Sequence, residues 1–165
     1  MALFGALFRH NEQCHFGARE RRIVVKEGDQ IVGALVPQYN WDTIPERELR
    51  PGVTQKVVRG DNVVIGLTTL QPGMETSPHK HPYEQLFMIL KGRITLHIGD
   101  QTFDCPAGTV IRIPPNVMHW GEGPKEEDGP ALNLDVWYPL RPDYAKFSDY
   151  QTDQFSPDAA VIEEA

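Results

Sequence analysis

Apolar and polar positions alternate along most of this chain in short runs rich in Val, Ile and Thr, each closed by Gly, Pro, Asn or Asp. A period of two with breakers at these intervals predicts strands rather than helices. Residues 22–27 and 30–36 flank Gly28-Asp29 and read as one hairpin; 53–59 and 62–70 flank Gly60-Asp61 and read as another. Further on, 84–91 and 93–98 meet at Gly92, and 102–105 and 109–113 meet through Pro106-Ala107-Gly108, with Gly99-Asp100 turning between the pairs. A late strand over 132–138 completes the set. The run from Gly123 to Pro130 is charged and rich in breakers, so it reads as a solvated loop. There is no repeat, no heptad pattern and no long amphipathic helix, so the fold class is all-β.

With 165 residues and 40% apolar content, the chain suits one well-buried core and is short for two ordinary domains. The expected division is an N-terminal extension over 1–45 carrying the first hairpin, a β domain over 46–142, and a C-terminal tail over 143–165 that holds one short helix and frays toward Glu164. The 16 basic and 23 acidic residues give a formal charge of −7, and no Lys/Arg cluster is dense enough to track a phosphate backbone, which argues against nucleic acid as a partner. Cys14 and Cys105 are isolated, with neither CxxC spacing nor a paired framework, and read as thiols of a reducing compartment. The apolar start Met1-Ala-Leu-Phe-Gly-Ala-Leu-Phe8 lacks a preceding basic region and a basic face, so a dimer contact or an added strand is favoured over a membrane anchor. The expectation is a cytoplasmic homodimer with no membrane partner.

Chemistry concentrates between residues 73 and 123. His79 and His81 are two apart, so on extended backbone both side chains leave the same face and can meet one ion. Glu84 and Gln85 follow on adjacent, hence opposite, strand positions, and His119 arrives after a full set of strands. A single histidine is more often a polar core or surface residue than a ligand. Three together at this spacing suit one divalent transition metal, with Fe, Ni, Zn, Mn and Co all compatible with imidazole ligation and with positions left open for solvent or substrate.

These residues resemble the cupin superfamily. Gly73, His79, His81, Gln85 and Gly92 match its first motif, with Gln where many members carry Glu; Gly108, Pro114 and His119 approximate the second, with Asn116 where glycine is common. Asn tolerates positive φ, so that departure is mild. The resemblance implies a single cupin barrel, a jelly-roll-like double-stranded β-helix, with metal ligands His79, His81, Gln85 and His119. Such a donor set is neutral and leaves the ion its full charge as a Lewis acid.

On the last strand two readings stand open. Leu132, Leu134 and Val136 could fill the core while Asn133, Asp135 and Trp137 face solvent, or the faces could be reversed, placing a carboxylate and an aromatic wall inside the cavity. A second resemblance favours the inward choice. The run Asp135-Val-Trp137-Tyr-Pro-Leu-Arg141 is similar to the end of small cupins of pectin and alginate degradation, which convert 4,5-unsaturated uronates into linear keto sugars. It implies Asp135 for proton transfer, Trp137 as a wall against the sugar ring and Arg141 as a carboxylate clamp, although Phe is usual at the Trp137 position. The layout also resembles the cupin isomerase of bacilysin-type antibiotic synthesis. The implied function is a metal-dependent isomerase or lyase acting on a small oxygenated anion, with a non-haem Fe(II) dioxygenase and a non-catalytic ligand-binding cupin as alternatives.

Tyr83, Phe87, Met118 and Trp120 are candidate residues for the pocket mouth, against ordinary packing. His97 alternates with Ile94, Leu96 and Ile98 and should face away from the core. His10 and His15 lack partners at ligand spacing.

Overall fold

The structure is a computed structural model that describes residues 21–27, 30–36 and 38–151. The apolar start, His10, Cys14, His15 and the end of the C-terminal tail lie outside the described residues. The chain divides between Gln38 and Tyr39. In the first unit β1 (Arg21–Glu27) and β2 (Gln30–Val36) pair antiparallel, from Arg21 opposite Val36 to Glu27 opposite Gln30.

Among its described residues the second unit holds nine strands: β3 (Arg47–Arg50), β4 (Val53–Arg59), β5 (Val64–Leu70), β6 (Glu84–Lys91), β7 (Arg93–Ile98), β8 (Gln101–Pro106), β9 (Val110–Ile113), β10 (His119–Glu122) and β11 (Ala131–Tyr138). They form a six-stranded antiparallel sheet in the order β3-β4-β5-β11-β6-β9 and a three-stranded one in the order β10-β7-β8. This is the jelly-roll arrangement, and an isolated bridge between His79 and His119 ties the segment before β6 to β10. Among the described residues the strands do not close into one hydrogen-bonded cylinder, so the expected barrel is a two-sheet sandwich.

Alternation builds the core. Val53, Leu70, Phe87, Ile89, Ile94, Leu96, Cys105, Ile113 and Ala131 point inward as one buried cluster, each large side chain worth roughly 1.5–3 kcal/mol of transfer free energy. The β6-β7 turn needs its glycine. Gly92 has φ 77°, and a Cβ there would stand 2.9 Å from the Ala131 Cα.

Strand β11 lies between β5 and β6, with Asp135 opposite both Gly66 and Phe87. Its inner face is Ala131, Asn133, Asp135 and Trp137, all buried, while Leu132, Leu134 and Val136 are half-buried on the outer face. The polar face therefore lines the interior and the aliphatic face turns outward. Hydrophobic alternation alone points the other way, because it cannot register that the inward polar groups pair with one another.

Strands β3 and β10 are additions to the expected set. The short β3 pairs with β4 only near its start, leaving the rest of that edge to the segment after β11. There α1 (Pro142–Ala145) and a 3-10 segment (Lys146–Gln151) carry Tyr150, whose hydroxyl donates to the Val57 carbonyl at 2.6 Å, and Gln151, which bonds both the N–H and the C=O of Arg59. Asp149 also pairs with Arg47. Among the described residues no helix is long and apolar enough to cross a membrane.

Candidate metal centre

His79 and His81 leave the segment before β6, and His119 opens β10; their ligating nitrogens lie within 4.8 Å of one another. Each ring is oriented by backbone two residues away. The Nδ1–H of His79 donates to the Ser77 carbonyl at 2.8 Å, that of His81 to Tyr83 at 3.0 Å, and that of His119 to Val117 at 2.9 Å. This common pattern leaves Nε2 as the free lone pair on all three rings. Burial lowers the basicity of each, taking His119 down to about 4, so the imidazoles are neutral and ready to ligate. Asn116 sits in the turn before β10 with φ 62°, the left-handed conformation that asparagine tolerates.

Gln85 is 6% exposed and turns inward from β6. Its Nε2 donates to Asp135 Oδ1 at 2.7 Å, so its Oε1 must face His81 Nε2, 2.9 Å away. With the His81 proton already on Nδ1, that contact joins two lone pairs. Two acceptors at this distance are unfavourable alone and natural around a shared cation. His119 Nε2 likewise is buried with no hydrogen-bond partner. Three imidazoles and one amide oxygen thus fit a divalent ion. Glu84 turns outward and pairs with Arg112 on β9.

Asp135 lies beside this donor set, fully enclosed. It accepts from Gln85 through Oδ1 and from Asn133 Nδ2 through Oδ2 at 2.8 Å. Desolvation pushes its carboxyl up to about 6, against the pull of those two bonds and of the Arg141 charge. Arg141, 7% exposed, donates through Nε and Nη2 to Asp143, while its Nη1 is buried without a partner. Its guanidinium lies 3.8 Å from the Tyr144 ring centroid and 5.2 Å from that of Trp137. The Trp137 Nε1–H is also buried and unpaired.

These groups share a cavity of about 90 Å³, lined among others by His79, Gln85, His119, Asp135, Trp137 and Arg141. Phe87 lines it from the apolar core. Trp120 is among the residues lining the cavity, and its ring stacks on His97 with centroids 4.6 Å apart. His97 faces away from the core, bonded to Glu122 and Thr102. Tyr83 packs beside Val57, Val64 and Trp137, and Met118 is exposed; neither is among the lining residues.

Sequence reasoning passed over Gln55, Thr68, Asn133, Tyr144 and Arg50, all of which line the cavity. Gln55 had a signal, since it shares the inner face of β4 with Val53 and Val57. Its Nε2 donates to Thr68 Oγ1 at 2.9 Å and its Oε1 is buried without a partner.

Residues 66–137 match the cupin domain family. The chain is 33% identical to auxin-binding protein 1 of Arabidopsis thaliana over 108 residues, which cover 56% of this chain and 51% of that protein. It spans about half the length of such curated relatives. Its fold is similar to that of an RmlC-like cupin from Shewanella frigidimarina, with TM-score 0.59 and 17% identity over 64% of this chain and 93% of that one. KdgF from Halomonas sp. gives TM-score 0.58 and 18% identity, covering 64% of this chain and 96% of its own. At such identities the likeness is one of fold.

Proposed function

We propose, from the match of residues 66–137 to the cupin domain family, that the chain is a metal-dependent enzyme that isomerises, ring-opens or eliminates on a small oxygenated anion such as an unsaturated sugar acid. The observation that carries this reading is Asp135, a buried carboxyl raised to about 6 that lines the cavity and accepts from the Gln85 amide. An enclosed acid that titrates near neutrality can both accept and return a proton at a substrate carbon.

A divalent ion held by His79, His81, His119 and Gln85 supplies Lewis-acid polarisation of a substrate oxygen. The chain's own residues do the rest. The free Arg141 Nη1 edge binds a carboxylate, and the Tyr144 ring under it holds the guanidinium plane. Trp137 offers its indole N–H to a second oxygen, and its ring excludes water from that side. Asp135 moves the proton.

Metal analysis of the purified protein, followed by turnover of unsaturated uronates with and without oxygen, tests this reading. About one divalent ion per chain and oxygen-independent product formation are expected. Stoichiometric oxygen consumption would transfer the site to Fe(II) dioxygenation. Auxin-binding protein 1 is named for binding, and saturable ligand uptake without product would make this cavity a binding site only.

A further inference from the structure

We infer that Arg50 is a second anion-binding residue of this cavity, and that with Arg141 it selects a ligand bearing two anionic groups, a small dicarboxylic acid, over the matching monoacid. The inference rests on the small-anion cavity proposed above.

Backbone geometry brings Arg50 there. Strand β3 pairs Arg47 with Gln55 and Glu48 with Thr54, but its register then shifts so that Arg50 faces Val53. In a regular strand Leu49 and Arg50 would point to opposite faces. The bulge lets both line the cavity. Arg50 Nε then donates to the Glu75 carbonyl at 2.8 Å, which fixes the guanidinium while leaving its other nitrogens for a ligand.

Charge completes the case. Among the described residues Arg47, Arg93, Arg112 and Arg141 each have a carboxylate partner, and Arg50 pairs with none. Its side-chain bond is to a backbone carbonyl, so no anion stands against its charge. Arg50 and Arg141 line the same cavity, so the two guanidiniums act on one region. Arg141 has one orphaned N–H edge and Arg50 has free ones, on different elements, and the three imidazoles and Gln85 bring no negative charge. One carboxylate satisfies one of these edges; two satisfy both.

Calorimetric titration of the intact protein with D-glucarate, D-gluconate and D-glucose, in both chelator-treated and zinc-loaded forms, tests this without turnover. Glucarate should bind about ten- to a hundredfold more tightly than gluconate, the range of a charge-assisted hydrogen bond. Arg50→Gln, which keeps a donor for the Glu75 carbonyl, should remove that preference by weakening glucarate far more than gluconate. Equal affinity for the diacid and the monoacid, or a preference that survives Arg50→Gln, would overturn the inference. If that variant fails to fold, Arg50→Lys keeps the charge and loses the fork, and an undiminished preference there is equally fatal. Uronate turnover with no diacid preference removes this inference alone. A diacid preference with no turnover of any uronate removes the proposed activity alone.

Discussion

Asp135 accepts two amide N–H bonds, and its replacement must contend with both donors. An asparagine offers one oxygen and one NH2, so either Gln85 or Asn133 has to rotate. Rotation of Gln85 would turn its NH2 toward His81, so the strain should fall on Asn133. Asp135→Asn is therefore expected to lower kcat by about 10²–10⁴ and to weaken metal binding by about tenfold, read by steady-state kinetics and metal titration. A variant with near-normal kcat would leave the metal as the sole catalytic element. In the metal-free protein the same carboxyl sets a pH dependence. Its folded value of about 6 exceeds the ordinary 3.8, so its contribution to stability is full below 3.8 and lost as pH rises through about 6. His119 runs opposite, its contribution present above 6.5 and lost as pH falls through about 4. The two windows overlap with opposite signs, and the lowered His79 and His81 add to the His119 side, so melting temperature should rise with pH between about 4 and 6.5, and Asp135→Asn, which removes the opposing contribution, should steepen that rise. An unchanged slope would show that Asp135 titrates normally.

At the scale of elements, the β4 edge beyond β3 is covered by side chains rather than by a strand. Tyr150→Phe removes the hydroxyl bond to the Val57 carbonyl and should cost about 1 kcal/mol, a fall of a few degrees in Tm with kcat unchanged. No change in Tm would mean that water replaces the hydroxyl freely. The same elements show where the sequence was readable. The His79–His81–Gln85 part of the site was legible because its geometry is local, a two-residue stagger with a fixed offset to Gln85, whereas His119 joins it only after strands β6 to β9. Strand β3, Arg-Glu-Leu-Arg, has one apolar position in four and no visible alternation, so neither it nor its bulge could be read. Strand β10, His-Trp-Gly-Glu, fails for the same reason. Strand β11 misleads, because both of its faces carry apolar residues and only the Gln85–Asp135–Asn133 hydrogen bonds decide which face is inside.

For the whole molecule, that outward aliphatic face has company. Leu86, Leu90, Val110 and Tyr138 are exposed on neighbouring strands β6, β9 and β11, on the same outer face as Leu132, Leu134 and Val136. An apolar sheet surface of this kind suits the homodimer expected from the sequence. Light scattering should report a dimer, and Leu90→Glu combined with Val110→Lys should shift it toward monomer. A monomer in the unaltered protein would overturn that expectation.

Cys105 gives the molecule a clock. The thiol is completely buried in β8, and burial raises its pKa, so a thiol reagent can reach it only when the three-stranded sheet opens. In a Cys14→Ser background the labelling rate at position 105 therefore counts openings. The ligand set has one member on β10 of that sheet and another on β6 of the other, so a bound ion is a clasp between them. Labelling should slow in proportion to 1 + [metal]/Kd when opening is in rapid equilibrium. A rate indifferent to saturating metal would mean that the sheets part without disturbing the ion, and that the clasp is fastened on one side only.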